Sequence, residues 1–283
     1  MTLGIALFAK DNTAIIASDK RITGGTTFMS THGDFAEKIH KITDRCALTL
    51  AGDAGIGASI IDLFLQKIKI ELTAQNVQDI PIKEVAEIFR SVAVENYEKW
   101  FGQMSIKDWV DNIKNEVIPF FRVLLVGFDK SESGELKRGK ILDLSSHNRF
   151  APSEITINFA AIGVPNIAQY LLYRFYKEKQ DEIAIASLAA FCIQETSSQD
   201  GSVGEQFQIA SFSDKKPFRF YSNIEIEEIR QRCSELKTEL EIALFPSQKV
   251  SEEIPAVIPE AKPAEPQESQ KEEIKPAETQ SAA

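Results

Sequence analysis

Histidine and cysteine are scarce in this 283-residue chain, at three each, and their placement argues against a metal centre. Cys46, Cys192 and Cys233 stand far apart, with no Cys-x-x-Cys pair and no histidine at ligand spacing. They read as buried free thiols, as expected in a reducing compartment. His32, His40 and His147 have no acidic partner at a spacing that suggests a metal site or a serine–histidine pair, so they are expected at the surface or in packing roles. Positive charge is also in deficit, with 32 Lys and Arg against 42 Asp and Glu, a formal net charge of -10. That balance excludes a general nucleic-acid surface. The most apolar run, Phe120 to Phe128, is far shorter than a bilayer span, so no membrane is expected. Met1 is followed by no basic segment, apolar core and cleavage site of a secretory signal, which predicts a cytoplasmic protein. Gly52, Gly55 and Gly57 precede a helix, but no Lys-Ser or Lys-Thr follows them, so a phosphate-binding loop is not indicated.

What remains is a chain with 43% hydrophobic residues, enough for a sizeable core. No internal linker is visible before residue 246, which predicts one domain over residues 1–245. Beyond it the composition changes: six of the eleven prolines fall in 246–283, among many Glu, Ala and Gln and no aromatic residue. Such a segment buries too little apolar area to offset the entropy of ordering, and a disordered tail is expected there.

Within 1–245, the stretches Met1–Ala9 and Ala14–Arg21 hold two apolar runs that flank the turn signal Lys10-Asp11-Asn12-Thr13 and predict a hairpin that carries the N-terminus into the fold. Ile22 to Ser30 reads as a strand end and loop, Lys38 to Ile42 as an alternating segment, and Cys46 to Gly52 as a strand. Ile60, Ile61, Phe64, Leu65, Ile68 and Leu72 recur at helical spacing over residues 58–72. Pro81 opens a second helix, striped with Val85, Ile88, Phe89 and Val92. Tyr97 to Pro119, with Trp100 and Trp109, reads as a helical insertion. Strands follow over Phe121–Phe128, Lys140–Leu144 and Asn158–Gly163, with a polar turn starting at Asp129 between the first two. Helices are predicted from Val164 and over Asp181–Cys192. After a polar loop, Ser197–Gly204, come strands over Glu205–Phe212 and Phe218–Tyr221 and a final helix over Ile224–Leu244. Periodicity alone gives an α+β layered protein.

The chemistry concentrates at the start. Removal of Met1 by an aminopeptidase, which a small second residue permits, would expose a threonine with a free α-amine. One residue would then carry a hydroxyl nucleophile and a base titrating at about 7.7–8.0. Thr2, the hairpin, Ser18-Asp19-Lys20-Arg21, Lys38 within Glu37 to Ile42, and Ala47-Leu48-Thr49-Leu50-Ala51-Gly52-Asp53-Ala54-Gly55 together resemble the proteasome β-subunit family of N-terminal-nucleophile (Ntn) hydrolases. The resemblance covers roughly residues 2–245 and is strongest up to about residue 75.

That resemblance implies a four-layer αββα sandwich and a threonine peptidase acting through an acyl-enzyme, with no metal or organic cofactor. It places Lys38 beside the Thr2 hydroxyl, Asp19 on Lys38, the Gly52 N–H at the oxyanion, and Asp200 near the terminal amine. It assigns Ile22, Ala36, Leu50 and Ala54 to a side-chain pocket, apolar and uncharged, and Thr23 and Ala54 to pairing with substrate backbone. It also implies peptide or unfolded-protein substrates and a homo-oligomer, ring or spiral. Two positions depart from the family pattern: Val164 and Val203 stand where serines are common, with Ser202 one position early. Exposure of Thr2 is expected to depend on Met1 removal rather than on self-cleavage. An inactive structural paralogue and an amidohydrolase acting on a small amide are the alternative readings.

Overall fold

A computed structural model describes residues 2–26, 29–34, 36–130 and 136–244. The tail expected over 246–283 and most of the polar turn after Asp129 lie outside the described residues. The chain divides into two units, residues 1–241 and 242–283, and the architecture below is that of the first.

The opening runs form β1 (Leu3–Ala9) and β2 (Thr13–Asp19), joined by a single 3-10 turn. Every residue of both strands is buried. A strand covered on both faces reads as continuous hydrophobicity rather than strict alternation. The next segment pairs with itself: β3 (Arg21–Thr26) and β4 (Met29–Asp34) make a two-stranded sheet where only a strand end and loop were expected. Its glycines and polar residues hide the alternation that marks a hairpin. Then come β5 (Ile39–Thr43), β6 (Cys46–Gly52), and helices α1 (Ala54–Gln75), α2 (Ile82–Phe101) and α3 (Ile106–Lys114). Strands β7 (Phe121–Lys130), β8 (Leu136–Ser145), β9 (Ser153–Ile155) and β10 (Phe159–Gly163) follow. The chain continues through α4 (Asn166–Phe175), α5 (Glu182–Gln199), β11 (Phe207–Phe212), β12 (Arg219–Phe220) and α6 (Asn223–Leu244).

Helix α1 starts four residues before the expected 58, because Asp53 caps it: its carboxylate accepts from Ile56 N at 2.9 Å. Helix α2 runs on through Trp100, so the segment read as an insertion is the last turn of α2, then α3 and its exit. Short β9 has no signal in the sequence; it is an exposed three-residue edge on β8.

Two antiparallel five-stranded sheets result, in the orders β10-β1-β2-β11-β12 and β5-β6-β7-β8-β9. The period-2 rule then sorts side chains into three cores. Ala6 and Phe8 of β1, Ala47 and Ala51 of β6, and Leu124 and Val126 of β7 meet between the sheets. Leu3, Ile5 and Leu7 turn the other way, onto α4, α5 and α6 through Ala168, Leu172, Ile185 and Cys233. Leu48, Val123 and Leu125 face Ile60 and Phe64 of α1, Phe89 of α2 and Trp109 of α3. Three cores between four layers make an αββα sandwich, the Ntn-hydrolase fold. Trp109, Tyr97 and Phe150 fill one end of the last core, and Trp109 Nε1 donates to Ser146 O at 2.5 Å. This satisfies the indole N–H and lets the ring be fully buried.

Candidate active site

Thr2 immediately precedes β1 and is 6% exposed. Its carbonyl accepts from Val164 N at 3.0 Å, just past the end of β10, which pairs with β1 in the register Leu3 to Gly163. Gly163 has φ +91°, and a Cβ there would come within 1.7 Å of the Thr2 carbonyl oxygen. The close approach that seats Thr2 therefore depends on glycine's missing side chain.

Asp19, at the end of the neighbouring strand β2, is fully buried. Its Oδ1 accepts from Leu3 N at 2.8 Å. Its Oδ2 accepts from Arg21 N at 3.0 Å, Gly204 N at 3.1 Å and Lys38 Nζ at 3.0 Å. One carboxylate thus ties the residue after Thr2, the start of β3, the loop before β11 and a buried lysine to a single point. Lys38, 4% exposed, also donates to Arg21 O at 2.5 Å. Burial draws its ammonium below the ordinary lysine value, and the charge and hydrogen bond of Asp19 oppose that pull. The Gln208 amide, oriented to satisfy its surroundings, accepts from Lys38 N and Ile39 N at 2.6 and 3.0 Å, holding this segment on β11.

Gly52 ends β6 with φ +122°. A Cβ there would meet Phe120 O at 2.2 Å, so the strand-to-helix corner is closed to other residues. Asp53 N donates to that same carbonyl at 3.0 Å before its side chain caps α1.

These elements enclose a cleft of about 310 Å³ lined by Thr2, Lys38, Gly52, Ile22, Ala36, Leu50 and Ala54. Two proposed catalytic side chains, the oxyanion glycine and the four expected pocket residues therefore share one cavity, with Asp19 buried behind Lys38. The lining is not the uncharged one expected: Arg21, Glu37, His40, Asp53 and Asp62 contribute as well. His40, expected at the surface or in packing, is half-buried here, and burial lowers its imidazole below the ordinary value. The signals for these additions lie in periodicity. Lys38 and His40 are two residues apart along an extended segment, and Ala54, Ala58, Ile61 and Asp62 fall at i, i+4, i+7 and i+8 on α1. Thr23 is placed by its backbone opposite His32 in the β3–β4 sheet.

Asp200 follows α5 as its C-cap residue and is not among the residues that line the cleft. Its Oδ1 accepts from Ser202 N at 2.8 Å and Ser202 Oγ at 2.5 Å, which hold its carboxyl below the usual range. Arg21 Nη1 donates to Gly201 O and Val203 O, at 2.9 and 3.3 Å, and its guanidinium is forked on Asp34 at 2.9 and 3.2 Å. Val203 is fully buried, and Val164 packs partly buried against the same core as Leu3. Neither position offers a hydroxyl, and Ser202, next to Val203 in the chain, donates its own to Asp200.

A second cavity, about 370 Å³, shares Thr2, Gly52 and Asp53 with the first and is otherwise lined by different residues, Gly163 among them. Among the described residues no group of His, Cys, Asp and Glu could hold a metal ion, and no helix is long and apolar enough to cross a membrane.

A family model for proteasome subunits matches residues 4–107. It takes in Asp19, Lys38, Gly52 and all five expected substrate-contacting positions, and stops short of Thr2 and Asp200. It also runs through the end of α2 into α3, so family-like sequence extends further into the 97–119 segment than expected. No curated protein matches the chain. Over residues 4–107, then, the chain is similar to proteasome subunits, and the sheets that carry this stretch form the sandwich described above.

Proposed function

We propose that the protein is a threonine peptidase, with Thr2 as its nucleophile once Met1 has been removed. The observation that carries this reading is the convergence of Thr2, Lys38 and Gly52 on one cleft, with Lys38 held by the fully buried Asp19. A lysine kept charged in such a place is costly unless its cation has work to do.

Thr2 Oγ attacks the carbonyl carbon of a peptide bond as its proton passes to the α-amine. The Lys38 cation lowers the proton affinity of the hydroxyl, and the Gly52 N–H holds the oxyanion. The carbon–nitrogen bond breaks as the α-ammonium gives its proton to the departing amine, leaving an ester on Thr2. Water, deprotonated by the α-amine, attacks the ester and releases the carboxylic acid, restoring Thr2. Asp200 orients the amine, Ile22, Ala36, Leu50 and Ala54 receive the side chain before the cut, and the Thr23 backbone pairs with substrate. Substrates are peptides or unfolded proteins, and the protein assembles as a homo-oligomer.

Val164 and Val203, together with the engagement of Ser202 by Asp200, favour one rival: a structural paralogue that keeps the fold without turnover. Intact mass before and after incubation with a peptide epoxyketone separates the two. This reagent requires both the hydroxyl and the free amine of an N-terminal threonine. Loss of Met1 and a single adduct, absent in Thr2→Ala, is the expected result; retained Met1 or an unreacted Thr2 terminus points to the paralogue.

A further inference from the structure

The second cavity beside Thr2 has walls unlike those of the first. Ile113 of α3 and the Ile118-Pro119-Phe120 segment leading into β7 supply its apolar surface, and the charged side chains that line it among the described residues are Glu116 and Asp53. These wall residues, 113–120, lie beyond the stretch that matches proteasome subunits. The segment is firmly anchored. Ile118 N donates to Asn112 O at 3.2 Å, Tyr97 Oη to Pro119 O at 3.0 Å, and Phe121 N to Ser146 Oγ at 3.1 Å. Phe120 O receives Asp53 N at 3.0 Å, which fixes the wall to the Gly52 corner itself. Ile113 and Ile118 are buried in the core around Trp109 and Phe121, and the Phe120 ring packs on His147 with centroids 5.0 Å apart.

Thr2, Gly52 and Asp53 are the residues that both cavities share. A peptide carbonyl poised over Thr2 Oγ, with its oxygen toward the Gly52 N–H, sends the two halves of its chain to opposite sides of that divide. The Lys38 cleft takes one half. We propose that the second cavity takes the other: it is the leaving-side pocket, selecting a bulky apolar side chain on the residue just after the cut bond and rejecting an acidic one. This assignment rests on the threonine-peptidase reading. Apolar walls reward burial of a side chain, preformed walls spare the ordering cost of binding, and the Glu116 and Asp53 carboxylates repel a third.

The test uses a peptide series with one fixed residue before the cut and Leu, Phe, Gly, Asp or Lys after it, with kcat/KM measured for the wild type, Glu116→Lys and Ile113→Phe. Wild type is expected to prefer Leu or Phe over Gly by about tenfold or more, the range an apolar pocket gives, and to disfavour Asp over Lys. Glu116 is exposed, so Glu116→Lys leaves the core intact; it should raise cleavage before Asp relative to Lys. Ile113→Phe narrows the cavity and should penalise Phe more than Gly; if it fails to fold, Glu116→Lys still carries the test. The epoxyketone adduct has no residue beyond the reacting carbon, so it reports on Thr2 alone. An adduct with a series that is flat, uncleaved or unmoved by Glu116→Lys overturns the pocket and leaves the nucleophile standing. Absence of the adduct removes the peptidase reading, and the pocket with it.

Discussion

Lys38 Nζ and Asp19 Oδ2 lie 3.0 Å apart in a nearly solvent-free setting, yet the two partners do not depend on each other equally. Asp19 keeps three backbone N–H donors without Lys38, whereas Lys38 without Asp19 keeps Arg21 O. Truncating the acid strands a buried cation and three amides. Asp19→Ala is therefore expected to lower the unfolding free energy by about 3–5 kcal/mol. Lys38→Met, which leaves the carboxylate solvated by amides, should cost about 1–3 kcal/mol. Urea denaturation of both variants gives the order; equal losses, or a larger one for Lys38→Met, would contradict this account.

Gly163 is the tightest point around Thr2. In Gly163→Ala the backbone at φ +91° is strained by about 1–3 kcal/mol, and the new methyl group displaces the Thr2 carbonyl. A lowered melting temperature together with loss of the epoxyketone adduct is expected. Gly201→Ala is the control, because its Cβ would meet nothing within 4 Å; a similar loss in both variants would show that the seat of Thr2 is not the cause.

Glu182, in the first turn of α5, joins that helix to β11 and β12. Burial pushes its carboxyl up, but Ser211 Oγ, Lys216 Nζ and Arg219 together outweigh burial and hold it at about 2, against an ordinary 4.5. Because the folded value is the lower one, its contribution to stability is fully present above about pH 4.5 and is lost as pH falls toward 2. Unfolding free energy measured across that window should fall less steeply in Glu182→Gln than in the wild type. Parallel curves would refute the linkage.

All three thiols are free, buried and raised by that burial, Cys192 to about 12 and Cys233 to about 11. The thiolate is the reactive form, so the native protein at pH 8 should leave a disulfide-exchange reagent unreacted, and denatured protein should react at all three positions. Rapid reaction of any one thiol in the native state would show that its core opens readily.

The sequence was most readable where one residue's environment is set by its near neighbours. The β1–β2 hairpin follows from two apolar runs around a polar turn, and Gly52 and Gly163 announce the corners they occupy. It was least readable where the environment is assembled from distant segments. Ile113, Ile118 and Phe120 are more than a hundred residues from Thr2, and their own periodicity shows only that they are buried, not what they face. His40 reaches the cleft through its alternation with Lys38 along one extended segment, and Asp62 of α1 lines the same cavity, a relation between distant segments that the sequence does not mark. The β3–β4 pairing was missed because glycine and threonine permit a strand without marking it.

The pairing of Leu3 with Gly163 sets a timetable. An aminopeptidase must grip an extended, unpaired end, and Thr2 in the finished sandwich is shielded and bonded to Val164. If the proposed peptidase reading holds, Met1 has to leave before β10 docks on β1. During synthesis at roughly 5–20 residues per second, the ribosome needs on the order of ten to thirty seconds to travel from one strand to the other. The same long-range contact that seats Thr2 would thus give the nascent chain an interval in which to be trimmed, and close that interval when the sheet is complete.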